Sequence, residues 1–209
     1  MRLDTLARYL QDIAADDVDD AGVVGTWVVR RVALALGDLP RYGETVELTT
    51  FCTGFGSRWA ERRTTACVGE RAALESVAIW VYVDDAGRSA PLEGWFFDLY
   101  GVAAADRKVS VRLRHPPPPP EAASRAWPLR AADFDVLDHV NNAASWAVVE
   151  DELARRASGR RLLRAEIEYR VPVDRGDQVE LRSALDGNLL ACWITCDAEV
   201  RTSARVTLA

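Results

Sequence analysis

The sequence has no long apolar run, few cysteines and histidines, and no surplus of positive charge. No stretch approaches the roughly 18 consecutive apolar residues that span a bilayer as a helix, so no membrane span is expected. Met1-Arg2-Leu3-Asp4 opens a polar, helix-like segment instead of the apolar core of a signal peptide, and a cytoplasmic location is the expectation. The 4 cysteines, Cys52, Cys67, Cys192 and Cys196, form no CxxC pair and fall within strand-like runs. They are expected to be small buried hydrophobes in a reducing compartment. Only two histidines are present, His115 and His139, which does not support a histidine-rich metal centre; neither metal nor cofactor is expected. The net charge of -6 argues against a nucleic-acid partner, which calls for a basic surplus.

What is present is an ordinary globular balance. Hydrophobic residues make up 49% and charged residues 28% of 209 positions, enough for one large domain or two small ones. Residues 3–15 predict a helix from Leu3, Leu6, Leu10 and Ile13 at spacings of three and four. Strands are predicted at 26–36, 45–53, 57–68 and 74–83, and Trp80 and Tyr82 suit the centre of a sheet. Five prolines follow His115; they favour extended polyproline II and read as a stiff linker rather than a ligand for another domain. Beyond it come a short strand at 126–130, a helix near 139–156, and strand-like runs at 163–172, 177–184 and 189–207, the last divided by a turn.

One helix followed by long antiparallel strands, then the same again, is an α+β pattern. A local match supports duplication. Arg41-Tyr42-Gly43-Glu44-Thr45-Val46-Glu47-Leu48 parallels Asp174-Arg175-Gly176-Asp177-Gln178-Val179-Glu180-Leu181, each between a first and a second long strand. The expected organisation is a first repeat at 1–114, a proline-rich linker at 115–125 and a second repeat at 126–209.

The stretch richest in chemistry is Asp133-Phe134-Asp135-Val136-Leu137-Asp138-His139-Val140-Asn141-Asn142, a polar loop running into a helix. Asp138 is the expected N-cap, and the helix end favours developing negative charge. Asp135 can attack a carbonyl or deprotonate water, His139 can relay the proton, and helix amides can hold an oxyanion. The same residues are also compatible with two capping aspartates and a histidine that only start a helix. Asn141 and Asn142 are expected to tie the loop to the helix or to touch substrate. Glu150 is expected to be a paired or solvated carboxylate.

The Asp-x-Asp-x-x-x-His-Val-Asn-Asn string resembles the signature of the acyl-ACP thioesterases. The likeness extends to Thr26-Trp27-Val28-Val29-Arg30-Arg31, to Pro40-Arg41-Tyr42-Gly43-Glu44-Thr45-Val46, to Ala78-Ile79-Trp80-Val81-Tyr82-Val83 and to Ile167-Glu168-Tyr169-Arg170. The resemblance implies two tandem hotdog folds, each a long helix wrapped by an antiparallel sheet, and release of an acyl group from acyl carrier protein. It places Asp135 and His139 on the catalytic aspartate and histidine. This chain departs from the pattern at Leu137, where the family has asparagine, and at Pro172 and Val173, where it has an acidic residue and a cysteine. Asp174 is the candidate for the third polar group.

The first repeat has no such motif and is expected to supply an acyl pocket. Arg155, Arg156, Arg160, Arg161 and Arg164 follow the motif helix. They complement a helix C-terminus, and Arg160 and Arg161 are also candidates for docking an acidic carrier or a pantetheine phosphate. An acyl-CoA or polyketide-type thioesterase and a non-catalytic acyl-binding protein are the alternatives. A monomer or a homodimer is expected.

Overall fold

A computed structural model describes residues 2–22, 25–105 and 107–209. The elements run α1 (Leu3–Asp20), β1 (Thr26–Leu36), β2 (Glu47–Phe55), β3 (Trp59–Val68), β4 (Arg71–Val83), α2 (Gly94–Ala104), β5 (Ala123–Ala126), a 3-10 turn (Ala131–Asp133), α3 (Asn142–Arg156), β6 (Leu162–Tyr169), β7 (Val179–Asp186), β8 (Leu189–Cys196) and β9 (Glu199–Leu208). Two compact units result, one of residues 9–113 and one of residues 2–8 with 114–209.

In the first unit the sheet order is β2-β3-β4-β1, antiparallel throughout. Trp27 pairs with Tyr82 and Val29 with Trp80, so these four side chains share one face. Trp27 and Tyr82 of that face pack against Phe55, Leu92 and Phe96. α1 is longer than its apolar spacing predicts. Asp16, Asp19 and Asp20 do not stop it, because they face solvent, and it ends before Gly22, which takes a left-handed φ of 64°. α2 was not expected. Its sequence, GWFFDLYGVAA, carries one charge, Asp98, and is apolar all round, so no stripe marks it as helical. Phe96 in its first turn is core, in tilted or edge-on ring contact with Trp27, Phe55 and Tyr100. Small side chains, Ala14 and Ala15 of α1 and Ala60 of β3, leave a cavity of about 270 Å³, also lined by Trp27, Trp80 and Tyr100.

In the second unit the order is β6-β9-β8-β7-β5, again antiparallel. α3 buries Ala143, Ala144, Trp146, Val148 and Val149. The inward faces of the strands supply Ile167, Leu181, Leu190 and Val206, all buried. β5 lies at 123–126, earlier than the sequence suggests, because Pro128 has no N–H to extend the ladder. The divided run at 189–207 breaks at Asp197 and Ala198, both with positive φ.

The proline run lies along this second unit. Trp193 Nε1 donates to Pro116 O at 2.8 Å and Arg182 Nη2 donates to Pro119 O at 3.0 Å. At its head, His115 is buried. Its backbone N–H and that of Arg114 both donate to the carboxylate of Glu168, while its ring meets Ser203 Oγ at 3.1 Å and Glu166 Oε1 at 3.0 Å. No helix among the described residues is long and apolar enough to cross a membrane.

Candidate active site

The loop from Asp133 to Asn141 is fastened at both ends before it presents anything. Asp133 is 2% exposed and accepts from the Arg130 backbone N–H at 2.8 Å and from the Arg130 guanidinium at 2.7 Å. Burial pushes its carboxyl up, but these Arg130 contacts outweigh burial and hold it below the usual carboxylate range. Its carbonyl accepts from Asn141 N–H at 2.7 Å. Asn141, and not Asp138, is the N-cap of α3: its Oδ1 accepts from Ala143 N–H at 2.8 Å. The helix starts three residues later than expected because residues 135–139 close a tight turn of their own. Asp135 N–H donates to His139 O at 2.8 Å, Asp138 N–H donates to Asp135 O at 3.1 Å, and Phe134 bridges Val140. The price of that turn is a left-handed Asp138, φ 62°, a region where aspartate is less disfavoured than most residues.

Within the turn, Asp135 Oδ1 accepts from the backbone N–H groups of Leu137 at 2.9 Å and His139 at 3.2 Å. Among the described residues its Oδ2 has no hydrogen-bond partner, so half of a part-exposed carboxylate remains available. Asp135 and His139 are thus joined through the backbone. The imidazole of His139 faces elsewhere: Nε2 lies 3.3 Å from Asp174 Oδ1. Asp174 is delivered by the turn 174–177. That turn is closed by Asp174 N–H donating to Asp177 Oδ2 at 3.0 Å, and Gly176 takes a positive φ of 97°. Val140 N–H donates to Val173 O at 2.8 Å, which sets the two segments side by side.

The three residues expected to react therefore lie together at the N-terminal end of α3. Asn142 stands there too; its carbonyl accepts from Tyr169 Oη at 3.0 Å, and its amide, first in the helix, has no partner within the helix. Leu137 is exposed at 66% and offers the turn no polar side chain. Two residues do not join this group. Arg160 and Arg161 lie beyond the far end of the 15-residue α3, roughly 20 Å along the axis at 1.5 Å per residue. Arg160 donates to Gly187 O at 2.8 Å and to Asn188 Oδ1 at 2.5 Å, bracing the β7–β8 turn. Glu150 is paired: its Oε1 accepts from Leu3 N–H at 2.8 Å, capping the start of α1.

Sequence reasoning missed Arg175 and His115. Arg175 reaches back over the loop, with Nη2 2.7 Å from Asp138 Oδ1 and its guanidinium 4.2 Å from the centre of the Phe134 ring. Its place in the octet repeat was the only signal. His115, Glu166 and Glu168 bring potential ligand atoms within 4.8 Å of one another. Glu168 is already taken by two backbone N–H groups and by Arg170 at 3.0 Å, and the cluster serves to fasten the proline run.

Comparison with known proteins agrees with this architecture. The 12:0-ACP thioesterase of Umbellularia californica superposes with a TM-score of 0.83 at 17% identity, covering 100% of this chain and 90% of that one. An acyl-ACP thioesterase of Bacteroides thetaiotaomicron gives 0.83 at 18% identity, with coverage of 100% and 90%. A MaoC-like dehydratase of Phytophthora capsici gives 0.59 at 10% identity, covering 88% of this chain and 72% of that one. At these identities the likeness bears on the fold, which is a pair of hotdog repeats. In sequence, the chain is 23% identical to the uncharacterized protein Rv2001 of Mycobacterium tuberculosis over 208 residues, 98% of this chain and 83% of that protein. The profile of the acyl-ACP thioesterase N-terminal domain matches residues 1–91, and that of the C-terminal domain matches residues 118–205. With both profiles matched in order over most of its length, the chain belongs to the acyl-ACP thioesterase family and is a thioester-hydrolysing enzyme.

Proposed function

We propose that the protein hydrolyses acyl groups from acyl carrier protein, in the cytoplasm, with Asp135, His139 and Asp174 as its reacting groups. The observation that carries this reading is the gathering, at the N-terminal end of α3, of an available carboxylate oxygen, an imidazole paired with a second carboxylate, and a helix-end amide without a partner inside the helix. A proton on His139 Nε2, directed at Asp174, leaves Nδ1 to accept and return a proton. Water held by Asp135 Oδ2 attacks the thioester carbon and gives up its proton to Asp135 or to His139 Nδ1. The carbonyl oxygen becomes an oxyanion facing the Asn142 amide at the positive end of α3. Collapse breaks the C–S bond, and the departing thiolate takes the proton, leaving a free acid and a thiol.

The carrier is the finer part of the proposal. Arg160 and Arg161 form the basic segment for an acidic carrier, and Arg160 also braces the β7–β8 turn. Comparing one acyl group on acyl carrier protein and on coenzyme A tests it directly. The proposal expects kcat/KM at least tenfold higher on the carrier protein; equal or higher efficiency on the coenzyme A ester would assign the enzyme to acyl-CoA. Absence of turnover on either ester would refute the hydrolysis.

A further inference from the structure

The turn 174–177 holds the catalytic loop by two arms, and the reaction above uses only one. The first arm is Asp174 on the His139 ring. The second is Arg175, whose Nε and Nη2 donate to Asp138 Oδ1 at 2.9 and 2.7 Å while its guanidinium carbon lies over the Phe134 ring, 4.2 Å from its centre. It thereby grips the loop at residues 134 and 138, on either side of Asp135. We propose that Arg175 is a positioning residue: it holds Asp138 in its left-handed conformation and so keeps the His139 ring within reach of Asp174. This rests on the reading of Asp135, His139 and Asp174 as the reacting groups.

Three observations converge on this role. Asp138 has φ 62°, which a non-glycine residue adopts at a cost, and it directly precedes His139, so relaxation there swings the imidazole. The other side-chain braces lie at the loop's ends, on Asp133 and Asn141; between them the side chain of Leu137, where the resemblance places an asparagine, is exposed and apolar, and Asp135 Oδ1 is left to hold the turn from inside. Finally, Arg175 sits next to Asp174 on a turn closed by Asp177 and Gly176, so both arms move as one piece. A guanidinium suits the task because it can donate to a carboxylate and lie flat on a ring at once; an ammonium cannot.

An exposed ion pair can also be worth almost nothing, and the experiment separates the two cases. Turnover of an acyl-CoA ester and thermal unfolding would be measured for wild type, Arg175→Ala, Arg175→Lys, Asp174→Asn and Asp135→Asn. With only two histidines in the chain, imidazole Cε1–Hε1 NMR spectra of each variant report separately on His139 and His115. Positioning predicts that Arg175→Ala lowers kcat roughly tenfold with KM within twofold, and that Arg175→Lys restores little of it. It also predicts that wild-type kcat falls with added salt while the Arg175→Ala value does not. The His139 cross-peak should move in Arg175→Ala in the same direction as in Asp174→Asn, with His115 unmoved. An unmoved His139 cross-peak, or unchanged kcat beside an inactive Asp135→Asn, overturns the role. Full turnover by Asp135→Asn would instead sink the underlying site reading, and the cross-peak alone would then decide the positioning role.

Discussion

Replacing Glu152 with glutamine should destabilise the second unit without slowing its chemistry. Glu152 is 2% exposed and its carboxylate takes three hydrogen bonds: from Arg125 Nε at 2.9 Å, from Arg156 Nε at 2.9 Å and from Ser183 Oγ at 2.7 Å. It thus ties α3 to β5 and β7. Breaking a buried ion pair costs about 3–5 kcal/mol. Both arginines here are about 30% exposed and regain water, so we expect about 2–3 kcal/mol, or roughly 5–10 °C in Tm for a chain of this length. Burial pushes the Glu152 carboxyl up, but the bonds from Ser183, Arg125 and Arg156 outweigh it and hold it below the ordinary range. The sign of the pH dependence follows. A depressed carboxyl contributes stability above its unfolded pKa, about 4.3, and loses it as pH falls through the lower folded value. Urea unfolding followed by circular dichroism at pH 7 and at several values below 4.3 should show a gap between wild type and Glu152→Gln that is full at neutrality and closes in acid. At 20 °C the folded variant should keep kcat within twofold, since residue 152 lies ten positions, roughly 15 Å, along α3 from Asn142. Equal stability at pH 7, or a gap that persists unchanged in acid, would refute the reasoning.

Asn141→Ala should cost about 1 kcal/mol through loss of the α3 cap and lower kcat as well, while Asn141→Asp should retain both; denaturant melts and initial rates decide this. The four cysteines are free, and Cys52, Cys192 and Cys196 are buried, with burial pushing the Cys192 thiol up to about 12. A thiol reagent at pH 8 should therefore label the native protein at Cys67 alone, read by peptide mass spectrometry, and rapid labelling of Cys192 would contradict the packing. Arg160→Glu with Arg161→Glu should raise KM for acyl carrier protein about tenfold while leaving KM for coenzyme A esters within twofold. A parallel rise on both esters would point instead to the loss of the β7–β8 brace.

Much of this was legible because pattern and packing agree. The alternation of Trp27 and Val29, and of Trp80 and Tyr82, marks the faces of β1 and β4, and the run from Trp59 to Val68 is a strand as its composition suggests. The octet match holds physically: Gly43 and Gly176 both take positive φ, 85° and 97°, between corresponding strands. What the sequence concealed depended on contacts distant in the chain. α2 lacks a polar face, so its helix is decided by packing around Phe96. The cap went to Asn141 because Asp138 is spent on Arg175, thirty-seven residues on. The division of the 189–207 run was expected, but its place, Asp197–Ala198, has neither glycine nor proline to announce it. At the site, the residue types were readable, but the partner of the His139 ring was not. Spacing suggests Asp135, four residues away; the fold supplies Asp174.

The most direct test of the central claim is single-turnover hydrolysis of an acyl thioester by wild type and by Asp135→Asn. Asparagine keeps the Oδ1 acceptor for the Leu137 and His139 amides, so the turn should persist and Tm should change little, while the reacting carboxylate is gone. The account predicts a fall in rate of at least about 10²-fold, in the range general-base catalysis supplies, with substrate binding preserved. A rate within threefold of wild type would place the chemistry elsewhere.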